Sequence, residues 1–402
     1  MTSYSKPCFE VADVIPGYRG VLEDQGRLSG HKKKVLTNLS QCRTQALGYH
    51  ERKCLNPDCD HRHIAYNSCR DRHCPKCNGL KREKWIAYRK EDLLPVRYFH
   101  TVFTVPERVN YLFIEHPELM YNLLFKSVWQ TVEKFAADHK HLGCKTGMIA
   151  ILHTWGQTLS FHNHIHCIIP AGGISQQGEW RHTKSRGKFL FPVKAMSKVF
   201  RGIFTDGLIE LAKQGSITLD HTFDENKKYL HPFYKEKWVV FAKQPMLNAQ
   251  QVLEYLGRYT HRIAISNHRI KDISNGKVRF SYIDYRHSKI SEMELDACEF
   301  LRRFSMHILP GGFMKIRHYG ILSSRAKQND LELARSSLQA ETPQSIKHLG
   351  WEELFQLLHG HHPLQCPKCK KAQMVTVFSF KPSSRGSPEQ NPLKANLSFC
   401  LQ

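Results

Sequence analysis

The sequence predicts an α+β protein in which a cysteine-rich metal domain precedes an antiparallel sheet flanked by helices. Three observations predict it. Cysteines and histidines crowd between Cys54 and Cys77; strand-like and helical segments then interleave; and one apolar run, Phe161 to Pro170, places two histidines on a single strand face.

The elements follow in order. Val11, Val14 and Ile15, then Val35, Leu36 and Leu39, recur with helical period beside the basic run His31 to Lys34. Between Cys54 and Cys77 the Cys74-Pro-Lys-Cys77 knuckle sets two thiolates on one tight turn. With Cys54 and Cys59 it forms a candidate closed zinc site, and Cys69, His61, His63 and His73 are spare donors. Lys81 to Leu94 reads as a basic amphipathic helix, Arg97 to Val105 as a strand ended by Pro106, and 117–139 as a helix. Met148 to Leu159 and His164 to Pro170 read as a hairpin, closed at Ala171-Gly-Gly173. Strands over Lys237 to Ala242 and Lys277 to Tyr282 alternate with helices over Asn248 to Arg262 and Leu295 to Ile308. The basic stretch Lys315 to Gly320 follows. Cys366-Pro-Lys-Cys369, after His361 and His362, hints at a second zinc knuckle, and 380–402 has the composition of a disordered tail. The expected divisions are 1–95, 96–325 and 326–402.

Composition narrows the function. Of the 402 residues 59 are Lys or Arg and 36 Asp or Glu, a formal charge of +23. Charge of that size repels itself unless a polyanion neutralises it, so nucleic acid is the expected partner. No apolar stretch is long enough to span a bilayer and the N-terminus has no signal-peptide pattern, so a cytoplasmic protein is expected. In that compartment, 13 cysteines argue for metal ligation over disulfides.

The candidate chemistry sits on two motifs. In His164-Ile165-His166 the imidazoles share one strand face, and Ile165, Cys167 and Ile169 share the other. Gln157 or His153, on the partner strand, could complete a divalent-metal site. Mixed nitrogen and oxygen donors with open positions suit Mg²⁺ or Mn²⁺ holding a phosphate. In Tyr255-Leu-Gly-Arg-Tyr259 the phenols lie one helical turn apart. They fit either a pair of nucleophiles or two amphipathic core tyrosines. Arg258, Arg262 and Lys289 are candidates to offset phosphate charge.

Five segments carry a resemblance: Asn67 to Cys77, Leu152 to Gln157, His162 to Cys167 with Gly172-Gly173, Tyr255 to Ser266, and Leu309 to Gly320. Spread over roughly residues 30 to 370, they resemble the two-tyrosine, rolling-circle insertion-sequence transposases of the HUH superfamily, IS91 type. The resemblance implies an N-terminal zinc-binding DNA-recognition domain and then an HUH nuclease domain with a ferredoxin-like antiparallel sheet. It maps the metal-binding histidines onto His164 and His166, favours Gln157 as third ligand, and maps the nucleophiles onto Tyr255 and Tyr259. Tyr259, beside the basic segment, is the expected first nucleophile. The implied reaction is nicking and joining of single-stranded DNA at element ends through a 5′-phosphotyrosine, with structural Zn²⁺ and catalytic Mg²⁺ or Mn²⁺. A bacterial, nucleoid-associated protein is implied with it. The Cys-x4-Cys spacing of Cys54 and Cys59 is wider than the family pattern. A replication initiator using the same nicking chemistry, or a zinc-dependent DNA-binding protein without nuclease activity, would share many of these features.

Overall fold

A computed structural model describes residues 6–185, 189–219, 232–243, 245–259, 263–284 and 287–382. The expected tail over 380–402 lies almost wholly outside the described residues. In chain order the strands are β1 (Tyr49–Cys54), β2 (Arg62–Tyr66), β3 (Tyr98–Thr104), β4 (Gly147–Trp155), β5 (Phe161–Pro170), β6 (Gly172–Ile174) and β7 (Trp180–His182). They continue as β8 (Val239–Ala242), β9 (Ile270–Ser274), β10 (Lys277–Asp284), β11 (Lys289–Asp296), β12 (Ile316–Gly320) and β13 (Met374–Phe380). Every strand pair is antiparallel, and the fold is the mixed α+β class that the pattern predicts.

Two compact units interleave along the chain. One takes its described residues from the region up to Lys81, from Ile263–Ile308 and from Ile346 onward; the other takes Arg82–Arg262 and Leu309–Ser345. The consecutive divisions expected at 95 and 325 are therefore not the compact units. Pairing of β13 with β1 returns the C-terminal segment to the N-terminal region.

In the first unit, helices Val11–Asp24 and Gly30–Gln41 bury Val11, Val14, Ile15, Val35, Leu36 and Leu39, the residues whose period predicted them. Ser29 caps the second helix by accepting from the Lys32 N–H at 3.4 Å. The helix Ala297–Met306 packs on Val11–Asp24, its start fixed by Asp296 accepting from the Cys298 and Glu299 N–H groups. Asn267 Oδ1 accepts from the Val11 N–H at 3.1 Å in the buried seam.

The second unit is built on a five-stranded sheet of order β12-β4-β5-β3-β8. Both of its faces are covered. Ile165, Cys167 and Ile169 of β5, with Phe99 and Phe103 of β3, enter a large core together with helices Pro117–Ala137 and Val193–Lys213. The opposite face carries Tyr98, Ile149, Ile151 and Ile168 against Val252, Leu253 and Tyr255 of helix Ala249–Tyr259. One close approach demands a glycine. A Cβ on Gly320, at φ +57°, would stand 1.9 Å from the Thr146 carbonyl oxygen, so β12 can lie against the start of β4 only without a side chain there.

Candidate active site and metal-binding clusters

Strand pairing creates the histidine cluster in the second unit. In the antiparallel ladder His153 of β4 faces His164 of β5, and Ile151 faces His166. Directly paired residues point to the same side of a sheet, so His153, His164 and His166 converge. One ring nitrogen from each lies within 4.8 Å of the others. The His153 and His166 rings are 4.5 Å apart between centroids, and Trp155 stacks on His153 at 4.7 Å.

Ring tautomers follow from the neighbours. His164 Nδ1 lies 2.8 Å from the His162 carbonyl oxygen, so it carries the proton and donates, leaving Nε2 with its lone pair. On the adjacent strand, His100 Nε2 lies 2.9 Å from His166 Nδ1. The Tyr255 hydroxyl closes a triangle, 2.5 Å from His100 Nε2 and 3.0 Å from His166 Nδ1. A consistent assignment has His166 Nδ1–H donating to the phenol oxygen and the phenol donating to His100 Nε2; His166 Nε2 is then also a lone-pair donor atom.

Burial keeps the His164 and His100 rings neutral. It lowers His164 to about 4, helped by the neighbouring His162, and lowers His100 to about 3, helped by Lys243 and His164. A neutral imidazole with a free Nε2, its other nitrogen hydrogen-bonded, is the form that ligates divalent metals. The three-nitrogen donor set therefore fits a divalent cation.

Gln157 does not sit on β4. That strand ends at Trp155, because Gly156 and Leu159, at φ +59°, turn the chain, and Gln157 falls in the turn. The position opposite His164 belongs to His153, which sequence reasoning offered only as an alternative. His100 was missed as a site residue. A single histidine in an apolar strand gives no signal until the phenol of a distant helix lands on it.

Tyr255 and Tyr259 both lie on helix Ala249–Tyr259, and Tyr255 is 8 % exposed in the core next to the histidines. Arg258 is on the same helix, with its side chain, like that of Tyr259, outside the described residues; Arg262 lies outside them altogether. Lys289 is exposed at the start of β11, paired with Asp284, and belongs to the first unit rather than to the one holding the histidines.

The cysteines form two groups of four in the first unit, and neither is the set expected from spacing. Cys74 and Cys77 join Cys42 and Cys69, whereas Cys54 and Cys59 join Cys366 and Cys369. The reason is local. Cys42 is at the C-cap of helix Gly30–Gln41, where the Cys69 N–H approaches its Sγ at 3.5 Å; Cys54 ends β1, beside the incoming β13. Tetrahedral zinc–thiolate bonds of about 2.3 Å put sulfurs about 3.8 Å apart. The Cys69–Cys77 separation is 3.7 Å, so the first group fits such a site.

A family model described as "Putative transposase" matches residues 147–330, the span of β4, β5 and both tyrosines. A second, described as "Transposase zinc-binding domain", matches residues 15–105. The chain is 41% identical over 383 residues to "Putative transposase y4qJ" of Sinorhizobium fredii, covering 92% of this chain and 95% of that protein. It is 26% identical over 367 residues to "Transposase for insertion sequence element IS801" of Pseudomonas savastanoi pv. phaseolicola, covering 89% and 86%. No solved structure matches it. Among the described residues no helix is long and apolar enough to cross a membrane. With its zinc-binding and transposase regions in this order, the chain belongs to the IS91-type family of insertion-sequence transposases.

Proposed function

We propose that this transposase cuts and joins single-stranded DNA at the ends of its insertion sequence through a 5′-phosphotyrosine, moving the element by a rolling-circle route. The observation that carries the reading is the Tyr255 hydroxyl lying 3.0 Å from His166 Nδ1, which joins a phenol to the histidine cluster. His153, His164 and His166 would hold Mg²⁺ or Mn²⁺, with Gln157 in the adjoining turn as a further oxygen donor; bound there, the cation would supply Lewis-acid polarisation of a phosphodiester.

The chain's own residues do the rest. The phenol oxygen attacks phosphorus, a new O–P bond forms, and the bond to the 3′ oxygen breaks. The strand leaves with a free 3′-OH, the phenol proton ending on that oxygen. Ester energy is kept in the tyrosine–phosphate link, so rejoining needs no nucleotide cofactor. A second tyrosine lets another strand be cut while the first remains attached. Arg258, Arg262 and Lys289 would supply positive charge to phosphates, and the zinc of the recognition domain would be held by Cys42, Cys69, Cys74 and Cys77.

On this reading Tyr255 replaces Tyr259 as the proposed first nucleophile, since its hydroxyl touches a ring of the metal site. Its contacts to His100 and His166 hold it at rest. Tyr255→Phe should reduce the first cut on an end oligonucleotide at least 100-fold, whereas Tyr259→Phe should spare that cut and block the second. Loss of the first cut in Tyr259→Phe alone would reverse the order.

A further inference from the structure

The zinc-binding family match stops at residue 105, and the transposase match ends at residue 330. Cys366 and Cys369 lie beyond both, yet they meet Cys54 and Cys59. We propose that these four cysteines form a second structural zinc site, separate from the one at Cys42, Cys69, Cys74 and Cys77, and that it fastens the C-terminal strand β13 into the N-terminal sheet.

Sulfur geometry is the first support. Cys54 and Cys369 Sγ are 3.6 Å apart and Cys59 and Cys366 Sγ 3.9 Å, both near the edge of a zinc tetrathiolate. A disulfide would need about 2.05 Å, and all four thiols are free. Cys54, Cys59 and Cys366 are buried, so the cluster is closed in the manner of a structural site.

The backbone repeats the architecture of the first group. Few non-glycine residues in proteins adopt positive φ. Here Arg43, Arg70 and Lys370, each at φ 56°, directly follow Cys42, Cys69 and Cys369. After Cys69 that left-handed step turns the chain so that a later N–H faces the sulfur. The Asp71 N–H donates to Cys69 Sγ at 3.5 Å. In the other halves of the two groups, the Lys76 N–H donates to Cys74 Sγ and the Asn56 N–H to Cys54 Sγ, both at 3.4 Å. Hydrogen bonds of this kind stabilise thiolates, which is what a metal requires.

Apart from its strand ladders and the ring contacts of Tyr49 with Tyr66, Phe378 and Phe380, the sheet β13-β1-β2 has little to hold it. Its strands have 7, 6 and 5 residues, and nearly all of those are half-buried or exposed, including Ile64, Tyr66, Val377 and Phe378. Its buried cluster is small: Cys54, Cys59, Cys366 and Met374, packed with Cys369 and Ala372. Three short strands with so small a core gain from a staple. Around the thiolates the chain is tightly bonded: the Leu55 N–H donates to Gln373 O at 3.0 Å, and Cys366 N–H to Ala372 O at 2.8 Å. Lys368 pairs with Asp60 across the two cysteine turns.

The test is metal content of the full chain carrying His164→Ala and His166→Ala, so that the imidazole cluster contributes nothing. Two zinc ions per chain are expected by elemental analysis. Adding Cys366→Ser and Cys369→Ser should remove one, and hydrogen exchange should show β13 amides losing protection while helix Val11–Asp24 keeps its own. Cys369→His, which preserves a ligand, should keep the full count and the β13 protection, separating metal loss from general misfolding. An unchanged zinc count in the double serine variant overturns the proposal. A single ion in the parent, lost in that variant, would support it and count instead against zinc at Cys42, Cys69, Cys74 and Cys77.

Discussion

Replacing His164 and His166 by alanine should lower DNA cleavage at least a thousandfold while leaving the chain folded. A bound metal contributes several kcal/mol to stabilising a phosphoryl transition state, and about 1.4 kcal/mol is tenfold in rate. The fold should survive because the rings are held mainly by other site residues, and the large apolar core lies on the opposite face of β5. Thermal melting separates the two effects: a divalent cation should raise the melting temperature of the parent but not of the variant. A melting shift of equal size in both would remove the metal from this site.

The same rings set an acid limit. His164 is lowered to about 4 and His100 to about 3 by burial. Below about pH 6.5 an unfolded chain protonates these groups and the folded one does not, so falling pH favours unfolding. Their contribution to stability is complete above the ordinary histidine range and is lost as pH falls through about 4. The melting temperature should be flat from pH 8 to about 6.5 and then decline, and the acid limb of cleavage should lie well below 6.5. A limb at the ordinary histidine value would mean that the ligating rings are exposed in the working enzyme.

Stripping zinc should have the second large effect. Metal binding to thiolate sites of this kind supplies about 10 kcal/mol or more of folding free energy, comparable with the whole stability of a typical domain. Chelation, or Cys74→Ser with Cys77→Ser, is therefore expected to melt the cysteine-bearing unit and abolish end recognition. The sheet holding His153, His164 and His166 should keep its amide protection, since its core contains no zinc thiolate. An unchanged melting curve after zinc removal would refute this.

Period-two and period-3.6 patterns made much of the fold readable. They located the faces of β5, the helices carrying Val11 and Val35, and the helices over Pro117–Ala137 and Ala297–Met306. Strands β1 and β2 escaped because Tyr-His-Glu-Arg-Lys-Cys and Arg-His-Ile-Ala-Tyr show no apolar alternation; neither face is buried. Helix Val193–Lys213 was not read either, although Met196, Phe200, Phe204 and Leu208 form a clear buried stripe. At the site, His164 and His166 were legible because a strand must put them together. The partnership of His153 with His164 depends on register, which a turn displaced by a few residues conceals. Grouping of the cysteines was least accessible. Spacing pairs neighbours, whereas Cys59 meets Cys366 from 307 residues away.

In the proposed reaction a tyrosine of helix Ala249–Tyr259 becomes covalently joined to DNA. The most direct measurement is a denaturing gel of the purified protein with labelled single-stranded DNA from the element's end, in Mg²⁺ or Mn²⁺. A protein–DNA band that resists denaturation and disappears in the Tyr255→Phe/Tyr259→Phe double variant is the predicted result. Tight binding of that DNA without any covalent band, or a band that persists in the double variant, would contradict it.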